Sequence, residues 1–176
     1  MTATLWGLYG GYLVWLAAGC VDFLCHRRTD LAHTSGLPES LLHLLQAGLM
    51  GVLVMLWMLG APSLGLCVAM GSLVLAHAMA GYADTRVAWR RRAITPLEQH
   101  VHSVLDAAPW MVMFVVLHEE GATAMARGWQ WTWRSPMLPA SAWLAVVTPA
   151  VVLCGLPLAR ELATAWRAVG EQGARP

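Results

Sequence analysis

The sequence predicts an all-α integral membrane bundle of about five transmembrane helices, with the N-terminus outside and the C-terminus in the cytoplasm. Three observations lead there. Of 176 residues, 58% are hydrophobic and 12% charged, with a mean hydropathy of +0.56. That is about half the charged share of a soluble domain. Apolar stretches recur five times, each near the length that crosses a ~30 Å hydrocarbon core. The arginines, the only basic residues apart from histidine, fall mostly in alternate loops. The reading places one membrane domain over residues 1–176, with helices at about 5–26, 38–59, 63–90, 96–117 and 139–168.

The first helix carries the apolar run Leu5–Phe23. It lacks a basic n-region and an A-x-A site, so it reads as a retained span. The second carries Leu41–Leu59, with Pro38 in its first turn, where a missing N–H is harmless. Gly60-Ala61-Pro62-Ser63 is a tight turn into the third helix, apolar over Ser63–Ala83. The third helix is expected to continue through Arg90, and Arg90-Arg91-Arg92 reads as a headgroup-contacting anchor or as a steering patch for an acidic amphiphile. The fourth opens with Thr95-Pro96-Leu97-Glu98, an N-cap, a proline at the first helical position and a capping-box glutamate, and is apolar over Val101–Leu117. The fifth is apolar over Ala140–Leu158, and Pro109, Pro149 and Pro157 are expected to kink helices four and five.

With five spans, Arg27, Arg28, Arg86, Arg90, Arg91, Arg92, Arg160, Arg167 and Arg175 share one side, and Arg127 and Arg134 take the other. The excess of arginine marks the cytoplasmic side, and the expected location is a bacterial inner membrane. Trp129, Trp131 and Trp133 read as interfacial anchors in the outer loop. The small-residue pairs Gly7/Gly11, Ala47/Gly51 and Gly65/Ala69 read as sites of close helix packing within the chain. Cys20, Cys25, Cys67 and Cys154 form no C-x-x-C and read as small buried hydrophobes.

The acids and histidines then form a pattern. Helix one ends with Asp22-x-x-x-His26, and helix two begins with Glu39-x-x-x-His43. Helix three ends with His77 and, seven residues on, Asp84, and helix four begins with Glu98-x-x-x-His102. Spacings of four and seven put both members of each pair on one helical face. Four consecutive helices therefore bring one carboxylate and one histidine each to the cytoplasmic end. Buried charges are tolerated when paired or bound to a cation. Nitrogen and oxygen ligands in this number suit two transition-metal ions, with carboxylates available to bridge.

This ligand set resembles that of ferritin-like di-iron carboxylate proteins, including membrane-bound hydroxylases and oxidases, which place Glu and Glu-x-x-His on paired helices. Here the spacing is x-x-x and two carboxylates are Asp, while the histidine boxes of membrane desaturases do not occur. The resemblance implies iron as the first choice of metal, with zinc or manganese as alternatives, and dioxygen chemistry.

Around the eight expected ligands stand further candidates. Asp106, one turn beyond His102, is expected either to orient that histidine or to replace a ligand. His100 lies on the opposite helix face and reads as a supporting or interfacial residue, as does Tyr82 near the site. Glu98 also fits a simple cap, and Asp84 also fits a partner for Arg86 or Arg90. His33 and His118 read as solvated.

The expected function is a membrane metalloenzyme that oxidises a hydrophobic or lipid-like substrate with dioxygen. Its expected partners are membrane lipids, that substrate and an electron donor. A zinc-dependent hydrolase of a lipid amide or ester, a haem-binding electron carrier and a metal-ion transporter are the alternatives. No P-loop, nucleophile elbow or nucleic-acid-binding pattern occurs.

Overall fold

Each long apolar segment forms a helix, and the helices alternate in direction, so the end of one lies beside the start of the next. The computed structural model describes residues 3–173. Helix α1 spans Ala3–Arg28, α2 Gly36–Leu59, α3 Leu64–Trp89 and α4 Pro96–Arg127. A single 3-10 turn, Leu31–His33, links α1 to α2. Helix α5, Ala140–Ala150, passes through a π-helical turn at Val151–Gly155 into α6, Leu156–Gly173. Five helices are long and apolar enough to cross a membrane, the α5–α6 run counting as one. Arg175 lies outside the described residues.

Caps set several boundaries. The Ser63 side chain accepts a hydrogen bond from Leu66 N–H at 3.1 Å and starts α3. The capping box at α4 is complete: Glu98 N–H donates to Thr95 Oγ1 at 3.2 Å, and Thr95 N–H donates to Glu98 Oε2 at 3.4 Å. Helix α4 runs ten residues beyond the expected end at 117, because the stretch 118–127 has no proline and its alanines, glutamates, Met125 and Arg127 carry the helix past Gly121. Gly128 stops it at φ 60°, a conformation that a side chain would strain. Helix α3 ends at Trp89, so Arg90, Arg91 and Arg92 lie in a turn and do not extend it.

The proline-rich fifth span widens instead of simply bending. Pro149 has no N–H to donate to the Ala145 carbonyl. Tyr9 of α1 fills that role, its hydroxyl donating to Ala145 O at 3.1 Å, and Tyr12 donates to Val146 O at 2.8 Å. In the π turn, Leu156 N–H reaches back to Val151 O. Proline and π turn together re-aim α6 against α2, whereas α5 touches α1.

Helices α2 and α3 pack as a hairpin, α1 packs on α4, and α3 on α4. The apolar core lies in the half of the bundle away from the acids and histidines, around Met50, Leu53, Leu66, Met70, Val74 and Met113. Apolar side chains such as Val68, Leu75, Met111 and Phe114 remain on the outside, as a lipid-facing surface requires. The loop after α4 folds back over the α2–α3 turn, with Ala61 N–H donating to Thr132 O at 2.9 Å and Arg134 N–H to Leu59 O at 2.8 Å. Trp129, Trp131 and Trp133 are exposed on it.

The small-residue pairs correct the expectation drawn from them. A Cβ at Gly7, Gly11 or Gly51 would meet open space, so none of these permits close packing. At Gly65 a Cβ would stand 3.4 Å from the Trp129 carbonyl oxygen of the loop after α4, an ordinary contact and not with another helix. Close approach occurs at positions outside the pattern, where a Cβ would stand 3.2 Å from Cys154 Sγ at Gly19 and 2.9 Å from Asp106 Oδ1 at Gly81.

Candidate metal centre

Alternating helix direction brings the end of α1, the start of α2, the end of α3 and the start of α4 to the same end of the bundle. Asp22, His26, Glu39, His43, Asp84, Glu98 and His102 meet there, all buried. The i,i+4 spacing holds within helices: His26 Nε2 lies 3.3 Å from Asp22 Oδ2 and His43 Nε2 4.0 Å from Glu39 Oε1. Contacts between helices are as close. His102 Nε2 is 3.0 Å from Asp22 Oδ1, His43 Nε2 is 3.2 Å from Asp84 Oδ1, and His26 Nε2 is 3.7 Å from Glu98 Oε1. Among the described residues, two groups have donor atoms all within 4.8 Å of one another: Asp22, His26, Glu98 and His102, and His26, Glu39 and His43. His26 belongs to both, so the two groups are joined.

Glu98 resolves a choice left open by the sequence. It is cap and cluster member together: Oε2 accepts from Thr95 N–H while Oε1 faces His26 Nε2. Asp84 is turned to His43 and pairs with neither expected arginine; Arg86 instead stacks over Tyr82 at 5.9 Å.

Two residues complete the cluster in ways the sequence reading did not foresee. Glu161 of α6 is buried and reaches both stacked imidazoles. His26 Nδ1 lies 2.8 Å from Glu161 Oε2, and His43 Nδ1 lies 2.6 Å from Glu161 Oε1. The two rings stand 4.5 Å apart and within 3° of parallel. A carboxylate accepting from both Nδ1–H groups fixes both tautomers and aims both Nε2 lone pairs at the other carboxylates. Arg92 is the second. Its expected role as a headgroup anchor is corrected: the side chain is 1% exposed, and Nη2 lies 2.5 Å from both Glu39 Oε1 and Glu98 Oε1. Burial disfavours its charge, but the hydrogen bonds it donates to Glu39 and Glu98 outweigh that and raise its pKa above the ordinary arginine value. Arg92 is therefore a fixed positive charge.

The other expected residues are dispersed. His77 is buried and lines a cavity beside the cluster, but it belongs to neither tight group. Tyr82 is 68% exposed and lies on the outside, so its expected place near the site is corrected: it is two residues from Asp84 and faces away. His100 is exposed for the same reason, sitting between Glu98 and His102 on the opposite face. Asp106 makes no hydrogen bond to His102; it lines the cavity instead.

That cavity has a volume of about 410 Å³. Asp22, His43, His77, Asp84 and His102 line its cluster side, and Trp15, Met50, Val54 and Val147 its apolar side. A second, apolar cavity of about 690 Å³ shares Tyr12, Trp15, Met50 and Val54 with it.

Fold and site together define the class: an all-helical protein with five membrane-span candidates and buried His/carboxylate groups of a kind that can bind metal. No protein-family model, curated protein or solved structure matches the chain.

Proposed function

We propose that the chain is a membrane-embedded metalloenzyme with a two-metal His/carboxylate centre, iron first, that oxidises a hydrophobic or lipid-like substrate with dioxygen. The observation that carries this reading is a set of buried atoms that converge without hydrogen bonds. Among the described residues, His26 Nε2, His43 Nε2, Asp22 Oδ1 and Asp84 Oδ1 are each buried and have no hydrogen-bond partner. Buried polar atoms are rarely left so. Here His43 Nε2 faces Asp84 Oδ1 at 3.2 Å, His26 Nε2 lies 3.3 Å from the Asp22 carboxylate and Asp22 Oδ1 lies 3.0 Å from His102 Nε2, while Glu161 commits the opposite edge of the His26 and His43 rings.

Charge supports the same reading. Asp22, Glu39, Asp84, Glu98 and Glu161 are five buried carboxylates, and Arg92 is one guanidinium. With neutral histidines four negative charges remain, which two divalent cations would balance. In this reading His26, His43 and His102 supply nitrogen, Asp22, Glu39, Asp84 and Glu98 supply oxygen, and His77 stands at the cavity edge. Bound metals would supply oxygen activation; the chain supplies the oriented ligands, the apolar cavity that excludes water, and lateral access from lipid. An electron donor completes the reaction.

Arginines at the cluster end of the helices favour a cytoplasmic position for the centre, with the N-terminus outside in a bacterial inner membrane. The haem alternative fits less well, because stacked parallel rings tied to one carboxylate cannot take opposite faces of a porphyrin. A zinc-dependent lipid hydrolase remains the second reading. It rests on the compact group Asp22, His26, Glu98 and His102, in which Asp22, His26 and His102 would be three zinc ligands that leave a position for water and Glu98 or the nearby Asp106 would be the base.

Metal content of detergent-purified protein tests this, beside a Glu39→Ala/His102→Ala variant. About two iron or manganese ions per chain, lost in the variant, are expected. One zinc favours the hydrolase. No metal in either protein after expression with metals supplied overturns the centre.

A further inference from the structure

Asp106 is a carboxylate within the bundle that the cluster does not use. It lies in α4 one turn beyond His102, between Leu105 and Ala107, at a depth where an uncompensated carboxylate is costly. Among the described residues it has no hydrogen bond and no ion pair, although His102 is four residues away. It lines the 410 Å³ cavity together with Gln46 of α2. Gly81 of α3 lies directly beneath both. A Cβ at Gly81 would stand 2.9 Å from Asp106 Oδ1 and 3.4 Å from Gln46 Oε1. The missing side chain is thus the space into which two acceptor oxygens from different helices converge. Neither oxygen is used in holding the helices together.

We propose that Asp106 and Gln46 form a head-group subsite in the cavity, accepting hydrogen bonds from a hydroxyl or amino group on an otherwise apolar substrate. One helical turn rises about 5.4 Å, so a carbon a few bonds from that group lies beside His102 and the cluster. The remainder of the chain lies along Trp15, Met50 and Val54, which also border the second, wholly adjacent apolar cavity. The subsite makes the substrate an amphiphile with one donor group, and it selects against a plain hydrocarbon. Asp106 is exposed at the cavity and Gln46 half-buried, so an occupant without a donor covers both acceptors and leaves them unpaired, which selects for an analogue that carries the donor. The proposal gives the metal-centre reading its substrate class, and it rests on that reading for the chemistry but not for the binding.

Photolabelling tests it in the full chain held in lipid nanodiscs. The probes are a diazirine-bearing dodecan-1-ol, the corresponding amine and the O-methyl ether of the alcohol. The alcohol or the amine is expected to label cavity residues such as Trp15 and Met50 at least ~10-fold more than the ether does, the preference one charge-assisted hydrogen bond confers. Whichever donor labels more strongly tells a neutral from a cationic head group. Asp106→Leu, which removes a polar group and keeps the helix apolar, is expected to abolish the preference while metal content stays at the wild-type value. Gly81→Ala, whose methyl displaces only the end of the Asp106 side chain, is expected to weaken it. Equal labelling by all three probes in the wild type overturns the subsite. So does a preference that survives Asp106→Leu, and so does loss of metal in that variant, which would make Asp106 a ligand. A metal-free wild type that still prefers the alcohol or amine would overturn the centre and leave the subsite standing.

Discussion

Replacing Glu161 isolates what α6 contributes. In the wild type its two oxygens take hydrogen bonds from His26 Nδ1 at 2.8 Å and His43 Nδ1 at 2.6 Å, all within a buried region. A hydrogen bond to a charged group contributes about 1.5–3 kcal/mol. Glu161→Ala removes two at once and leaves two buried N–H groups unpaired, so a loss of about 3–6 kcal/mol is expected. Native stabilities are only about 5–15 kcal/mol, so the variant stands near the edge of folding. Glu161→Gln is the more informative change. Its carbonyl still accepts from one imidazole, but its NH₂ meets the Nδ1–H of the other. That ring must take the other tautomer, which protonates its Nε2 and withdraws one nitrogen from the cluster. About half the stability loss is expected, together with a 10–100-fold fall in metal affinity. Unfolding in detergent gives the first quantity and metal titration of the stripped protein gives the second. Glu161→Gln with wild-type metal affinity would refute the idea that α6 orients the two histidines, whatever happens to stability.

Two further predictions follow from neighbouring parts of the structure. Arg92→Met leaves Glu39 Oε1 and Glu98 Oε1 without their shared guanidinium. The metal-free variant should lose about 3–5 kcal/mol, the usual result of unpairing a buried charge, and added divalent metal should restore part of that. Equal unfolding midpoints with and without metal would count against it. Tyr9→Phe should destabilise the wild type by about 1 kcal/mol, since Pro149 leaves Ala145 O without a helical donor. In a Pro149→Ala background the restored N–H should make the same change nearly neutral; an identical penalty in both backgrounds would show that the two are not coupled.

The sequence alone determined the spans and the end of the bundle at which the acids and histidines gather. Both depend on local quantities: apolar length for the spans, caps such as Ser63 and Thr95–Glu98 for the starts, and parity for the rest. Helices that alternate in direction must bring Asp22/His26, Glu39/His43, Asp84 and Glu98/His102 together, whatever their packing angles. The tertiary structure decided everything that depends on rotation about a helix axis or on the course of a loop. It turned Tyr82 outward, set Asp84 against His43 in preference to an arginine, left Gly7, Gly11 and Gly51 facing open space, and folded Arg92 inward between two glutamates. Glu161 was partly legible: Leu158, Glu161, Ala165 and Ala168 share one buried face at three- and four-residue spacing, so the glutamate stands where an apolar residue belongs. Which groups it meets was not legible, because that depends on the π turn between Pro149 and Pro157 that aims α6 at α2. A spacing in the chain sets the face on which a side chain lies; only the packed bundle sets what lies opposite.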